Sequence, residues 1–232
     1  MTALAGLAWP VIGTLAGRGA PLLLPMGSTE QHGPHLPVTT DTDIAVAIVS
    51  DPAIGLRLPL AVVAPPLPYG SSGEHDGFPG TLSIGQAATE LVLIELVRSA
   101  TAAFGTVVVV STHGGNAPAL EPAVSRLRAE GRDVRAWSPR WQGDAHAGRT
   151  ETSLMLAIAP ERVDLSRAEA GDTRPIGELL PQLRAEGVGS VSPNGVLGDP
   201  AEATAGEGRR LLAAAVDDLI RFVDASAGEV AR

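Results

Sequence analysis

The chain has 232 residues, 44% of them hydrophobic and 19% charged, enough to bury a sizeable core as one domain over 1–232. Its net charge of −9 comes without any basic run, so nucleic acid is not an expected partner. The absence of cysteine excludes disulfides and thiolate metal ligands and is neutral about compartment. The segment up to Gly17 is apolar but carries no positive charge before Arg18, and it is interrupted at Trp9-Pro10 and Gly13. It reads as neither a signal peptide nor a membrane span, so the expected address is the cytoplasm, with no membrane partner.

Pro21-Leu-Leu-Leu-Pro-Met26 is a short apolar run bounded by turn residues, the pattern of a buried strand over 21–26. The loop after it concentrates Glu30, His32 and Asp41 within twelve residues, a density of carboxylate and imidazole suited to a divalent metal. If the chain stays extended, Glu30 and His32 point to the same side. Asp41 opens a helix over 41–50 and can return toward the same point. The plainer alternative makes Glu30 a loop carboxylate, His32 a satisfied polar residue and Asp41 an N-cap. His35 reads as structural rather than a ligand, and Asp43 as a first-turn carboxylate favoured by the helix dipole.

A strand over 60–64 follows, then Glu74-His75-Asp76, where His75 is a candidate for substrate contact or for a facing subunit. Ser83 with Gln86 reads as a capping box opening a helix over 84–103. The β-branched strand 106–111 runs into His113-Gly-Gly-Asn116. This places His113 at a strand's C-terminal end, where open α/β sheets put their sites. A core histidine is the bland alternative, and the adjacent glycines argue for close backbone approach. A phosphate cradle at Gly114-Gly115-Asn116 is a weak rival, lacking the Walker spacing and the full dinucleotide fingerprint. Asn116 is expected to cap a helix over 117–130, and its amide is also a candidate for substrate contact.

A strand over 133–137 leads to Trp141, Asp144 and His146. Thr150 is a plausible N-cap for a helix over 151–159, putting Glu151 in its first turn. The stretch 168–195, rich in Gly, Pro and charge, reads as a surface excursion or a subunit contact. Asp199, Pro200 and Glu202 suggest the start of a last helix over 201–225. Strand and helix alternate throughout. This predicts an α/β fold, a single-domain three-layer sandwich with a mostly parallel sheet flanked by helices.

These motifs resemble the creatininase family of metal-dependent amidohydrolases. The matching pieces are Gly27-Ser-Thr-Glu-Gln-His-Gly-Pro-His-Leu-Pro37 with Asp41, Gly73-Glu-His-Asp-Gly-Phe-Pro-Gly-Thr81, His113-Gly-Gly-Asn116, His146-Ala-Gly-Arg-Thr-Glu-Thr-Ser153, and Gly195-Val-Leu-Gly-Asp-Pro200 with Ala203-Thr204. They follow the family's order from about residue 20 to about residue 208. The resemblance implies a dinuclear centre, one metal on Glu30, Asp41 and His113, the other on His32, Asp41 and Glu151, with Asp41 bridging. It implies a catalytic His146 beside the substrate, assisting proton transfer, and a ring-like or layered homo-oligomer. Charge fits: two divalent ions bring four positive charges, three carboxylates bring three negative ones, and one hydroxide completes neutrality. With only oxygen and nitrogen donors, zinc, manganese or iron(II) are the expected cofactors.

The creatinine-hydrolysing branch carries a glutamate two residues after the ligand histidine, where this chain has Gly115, and a tryptophan-rich substrate wall. Here Trp141, the candidate wall residue, stands just upstream of His146, with Trp137 earlier. Gly70 to Ile84 most resembles the family's peptidases of the mycofactocin system. That implies a precursor-peptide substrate losing a C-terminal Val–Tyr dipeptide, with a small amide such as a cyclic amide or a formamide as the rival substrate. A non-catalytic metal- or ligand-binding protein is the alternative of a different class.

Overall fold

A computed structural model describes residues 2–227; Met1 and 228–232, at the ends of the expected domain, lie outside the described residues. The strands are β1 (Thr2–Ala3), β2 (Leu22–Met26), β3 (Val62–Val63), β4 (Thr106–Ser111) and β5 (Asp133–Trp137). They form one sheet in the order β1-β3-β2-β4-β5, with every pairing parallel. The central pair runs in register from Leu22 opposite Val107 to Met26 opposite Ser111, so both strands end at the same level.

The helices are α1 (Trp9–Gly17), α2 (Thr40–Ser50), α3 (Pro52–Arg57), α4 (Gln86–Ala100), α5 (Ala117–Ala129), α6 (Arg149–Ile158), α7 (Ile176–Glu186), α8 (Val188–Val191) and α9 (Ala205–Ala227). They cover both faces of the sheet. Because successive strand side chains alternate, Leu23, Val108, Val110 and Trp137 face a core completed by Ile44 and Ile48 of α2, Leu154 and Met155 of α6 and Leu219 of α9. Leu22, Leu24, Val107, Val109 and Val134 face the other core, with Leu93 and Val97 of α4 and Leu120 and Leu127 of α5. Burial on both faces explains why the central strands β2 and β4 are continuous apolar runs rather than alternating ones. This is the three-layer sandwich expected.

Several local expectations are corrected. The apolar N-terminal segment contains a helix, because Pro10 lies in its first turn, where a missing N–H costs nothing. Ser83 does not cap α4, which starts at Gln86 after Gly85; the Ser83 hydroxyl instead accepts from Ser72 N at 2.9 Å and Gly85 N at 3.2 Å. The last helix starts four residues later than the Asp199 signal suggests. Thr204 Oγ1 accepts from Glu207 N at 3.1 Å, a cap three residues along, while Asp199 closes a turn onto Ala201 N at 2.9 Å. Within 168–195, α7 and α8 bring Leu179, Leu183 and Val188 against Leu197 and Phe78 in a small satellite core. The four-residue spacing of Leu179 and Leu183 marks this stripe, obscured by the surrounding Gly, Pro and charge.

Candidate metal centre

The site forms where β2 and β4 end side by side. Beyond Met26 the chain is pinned on three sides. Thr112 N donates to Met26 O at 3.1 Å, Asn116 Nδ2 donates to Gly27 O at 3.0 Å, and a Cβ at Gly27 would collide with the backbone of Thr42 in the first turn of α2. Thr112 Oγ1 also donates to Asp41 O at 2.7 Å. The loop after β2, the first turn of α2 and the loop after β4 are thus fastened to one another before any ligand is considered.

All five sequence-predicted ligands meet there. Glu30, Asp41 and His113 form one group of converging donor atoms, His32, Asp41 and Glu151 a second, sharing Asp41 with the first, and Glu30, His32 and His146 a third. His32 Nε2 lies 3.3 Å from Asp41 Oδ1 and 3.7 Å from Glu151 Oε2. His113 Nε2 lies 3.2 Å from Glu30 Oε2, and its Nδ1 lies 3.4 Å from Asp41 Oδ2. Glu30 and His32 do point to the same side. His32 Nδ1 donates to Glu30 O at 3.1 Å, which leaves Nε2 as the ring atom that would meet a metal once its proton is lost.

The orphan polar atoms carry the metal argument. Both oxygens of Glu30, Oδ2 of Asp41 and Nε2 of His32 are buried and have no hydrogen-bond partner. Unpaired polar atoms inside a protein typically cost about 1–3 kcal/mol each, more when charged, so such a concentration calls for a cation. The donor chemistry fits a divalent ion: carboxylate oxygens and imidazole nitrogens, with no sulfur.

Electrostatics point the same way. Burial works against charge on His32 and His113, yet Asp41 and Glu151 around the first and Glu30 and Asp41 around the second raise both to about 10. Burial opposes charge on Glu30 too, but His113, His75 and His32 hold it well below the usual carboxylate range. Burial pushes Glu151 up to about 7, and burial together with Glu30 raises Asp41. Two imidazolium protons thus balance the carboxylates where metal charge would otherwise do so.

Glu151 is positioned from its own helix. Thr150 does not cap α6; the Asp144 carboxylate, upstream, accepts from the N–H groups of Arg149 and of Thr150, the latter at 3.1 Å. Ala147, buried and at φ 53, turns the chain so that its N–H reaches Glu151 Oε2 at 2.6 Å. A left-handed alanine is strained, and such strain gathers at functional sites.

His146 stacks beside the cluster, its ring centroid 4.3 Å from that of His32 and 4.5 Å from that of His75. His146 Nε2 lies 2.9 Å from Gln31 O, and Nδ1 lies 3.7 Å from Glu30 Oε1. Burial, with His32 and His75 nearby, holds His146 well below its ordinary pKa. His75 is inside the site rather than at its border: Nε2 is 3.3 Å from Glu30 Oε1, and burial lowers it to about 4. His35 stands outside the converging donor groups, its Nε2 2.9 Å from Thr152 Oγ1. Asn116 does not cap α5; its Oδ1 accepts from Ser71 N at 3.0 Å, tying the loop before His75 to Gly27. Trp141 packs, partly buried, against the core shared by α6 and α9.

Gln31 is the residue that the sequence reading passed over. Its Nε2 lies 2.9 Å from His75 Nδ1, 3.1 Å from His146 Nε2 and 3.0 Å from Gly195 O, and its Oε1 accepts from Gly33 N at 2.8 Å. The buried amide therefore donates to His75 Nδ1 and Gly195 O, while the Gln31 backbone carbonyl accepts from His146 Nε2, so one residue aligns both histidines. The signal was its place between Glu30 and His32 in an extended segment, which directs it to the opposite side from both.

The family model described as "Creatinine amidohydrolase" matches residues 5–223. The chain is 52% identical over 209 residues to the mycofactocin precursor peptide peptidase of Mycobacterium ulcerans (strain Agy99), covering 86% of this chain and 82% of that one. It is also 52% identical over 201 residues to the protein of the same name from Mycolicibacterium smegmatis, covering 84% and 81%. Among solved structures, creatinine amidohydrolase (creatininase) superposes with a TM-score of 0.81 at 25% identity, covering 97% of each chain. A mutant creatininase of the Zn–Zn type, at 0.79 and 25%, covers 97% of both chains, and a manganese form, at 0.78 and 25%, covers 97% and 98%.

Proposed function

The chain belongs to the creatininase family, and from that premise we propose that it is a dinuclear metal-dependent peptidase releasing the C-terminal Val–Tyr dipeptide of a modified mycofactocin precursor peptide. The observation that carries the metal dependence is the set of buried, unpartnered donor atoms on Glu30, His32 and Asp41. Similarity to two peptidases of that name supports the substrate.

In this reading Glu30, Asp41 and His113 hold one divalent ion and His32, Asp41 and Glu151 the other. Zinc, manganese and iron(II) are the candidates. Bound there, such ions supply Lewis acidity, polarising a carbonyl and lowering the pKa of water from 15.7 to roughly 7.

The protein's own groups do the rest. The His32 bond to Glu30 O, the Ala147 N–H on Glu151 and the Thr112 hydroxyl on Asp41 O fix the donors before substrate arrives. This is the pre-organisation that a hydrolytic site needs. His146, aligned by Gln31, lies beside the cluster and relays a proton toward the departing nitrogen. His75, Asn116 and Trp141 are the further candidates for substrate contact. We place the enzyme in the cytoplasm as a homo-oligomer.

The deciding experiment incubates the metal-loaded protein with a synthetic precursor peptide ending in Val–Tyr and, separately, with a formamide, and follows products by mass spectrometry. Release of the dipeptide is expected, lost on chelation and regained with metal. Cleavage of the formamide with the peptide intact would overturn the peptidase reading in favour of a small-amide hydrolase.

A further inference from the structure

Glu74, in the 3-10 turn Gly73–His75, is a carboxylate of the site that the ligand set leaves unused. Its Oε1 lies 3.6 Å from His113 Nε2. It does not join the converging donor groups, and His113 Nε2 has its hydrogen-bond partner elsewhere, in Ser71 O at 2.9 Å. Its side chain is 31% exposed, whereas those of Glu30, Asp41 and Glu151 are 0%, 3% and 12% exposed. Among these carboxylates, Glu74 therefore combines a position beside His113 with exposure to solvent.

The surrounding chain builds this placement. A Cβ at Gly115 would collide with Glu74 Oε1 and with His113 Nε2, and would lie 2.7 Å from Ser71 O. At Gly114 a Cβ would meet nothing within 4 Å. Of the two glycines, Gly115 thus clears the space that the Glu74 carboxylate enters. The turn itself is anchored by Ser72 N on Ser83 Oγ at 2.9 Å, by the Ser28–Ser72 hydroxyl pair and by Ser71 N on Asn116 Oδ1 at 3.0 Å. Three separate segments hold this glutamate over His113.

We infer that Glu74 is a catalytic residue, the carboxylate that takes a proton from the attacking water and returns it to the leaving nitrogen. As the water oxygen bonds to the carbonyl carbon, one water proton passes to Glu74 Oε1. When the C–N bond breaks, its electron pair leaves with nitrogen, and the Glu74 carboxylic acid returns the proton there, directly or through His146. The second water proton stays with the new carboxyl group and is lost to solvent. This rests on the hydrolase reading above, but not on the identity of the amide.

The test compares Glu74→Gln with the unmodified enzyme on the Val–Tyr precursor peptide and on an aryl formamide, with metal content measured by mass spectrometry. Glu74→Gln should retain the metal content and KM of the unmodified enzyme while kcat falls about 10²–10⁴-fold, the usual worth of a positioned acid or base. Glu74→Ala should regain rate on addition of formate, which keeps the question answerable if the glutamine variant folds poorly. Metal lost in step with rate would make Glu74 a support of His113 and overturn the inference. So would undiminished kcat, or absence of formate rescue. If the unmodified enzyme cleaves only the formamide, the peptidase reading falls, and the Glu74 comparison is decided on the formamide.

Discussion

Loading the chelator-stripped protein with metal should expel protons, and their number follows from the site. His32 and His113, both raised to about 10, carry almost a full proton each at pH 7, and Glu151, pushed up to about 7, carries about half of one. Metal can bind these donors only after the protons leave. Loading both positions at pH 7 should therefore release about two and a half protons per chain, rising toward three near pH 6 and falling toward two near pH 8.5, with protons from Asp41 or from water adding to this floor. Because each histidine proton competes with the metal, apparent affinity should climb with pH, by roughly tenfold per unit for each position between pH 7 and 9. Titration calorimetry in buffers of different ionisation enthalpy reads the count directly. Loading at pH 7 with no net proton release would show that the buried carboxylates do not hold His32 and His113 protonated.

The remaining predictions use the same geometry. Asp41→Ala should lower metal content more than any other single ligand change, because in the proposed ligand set Asp41 alone serves both ions, and Glu151→Gln should chiefly lower the second ion; metal analysis of the purified variants distinguishes them. Asp144→Ala removes the cap of α6 and should cost about 0.5–2 kcal/mol of stability, measured by denaturant unfolding, with weakened metal retention because Glu151 loses its support. In the presence of chelator, thermal stability should fall as pH rises from about 6.5 toward 10, because His32 and His113, at about 10 in the folded state, favour it most while protonated; a melting temperature flat across that window would contradict the charge balance. His146→Ala should lose about 10²–10⁴ in rate with its metal content intact, and loss of metal in step with rate would reassign it as a ligand.

What could be read from the sequence was what short-range chemistry dictates. Continuous apolar runs marked β2 and β4 nearly to the residue, since burial on both faces leaves little ambiguity in a parallel strand, and β5 also falls where expected. The five candidate ligands came from the family resemblance, with Glu30, His32 and Asp41 already set apart by their density in one loop. Helix starts were the weak point, at α4 and α6 for one reason. Asp144, upstream in the loop, outcompeted Thr150 at α6, and Ser83 was drawn away from α4 by Ser72, so local capping signals lost to bonds that only the folded loop makes available. Asn116 was misread in the same way, its amide serving Gly27 and Ser71 instead of its own helix.

The same competition explains how the centre is assembled. Residues that might have closed local turns or caps, Ser72, Ser83 and Asn116, bond across loops and tie the segments bearing His75 and His113 to the loop after β2, while Asp144 caps the helix that bears Glu151. Gln31, turned away from the ligands that flank it, does likewise for His75 and His146. Placing donors without hydrogen-bond partners in a buried cluster is unfavourable, and each of these bonds, typically worth about 0.5–1.5 kcal/mol, offsets part of that cost. The scaffolding polar residues and the metal ligands are therefore one system. A change such as Asn116→Ala, although it touches no ligand, acts on the centre by loosening Gly27 and Ser71 together, the two points between which Glu30 and His113 are held.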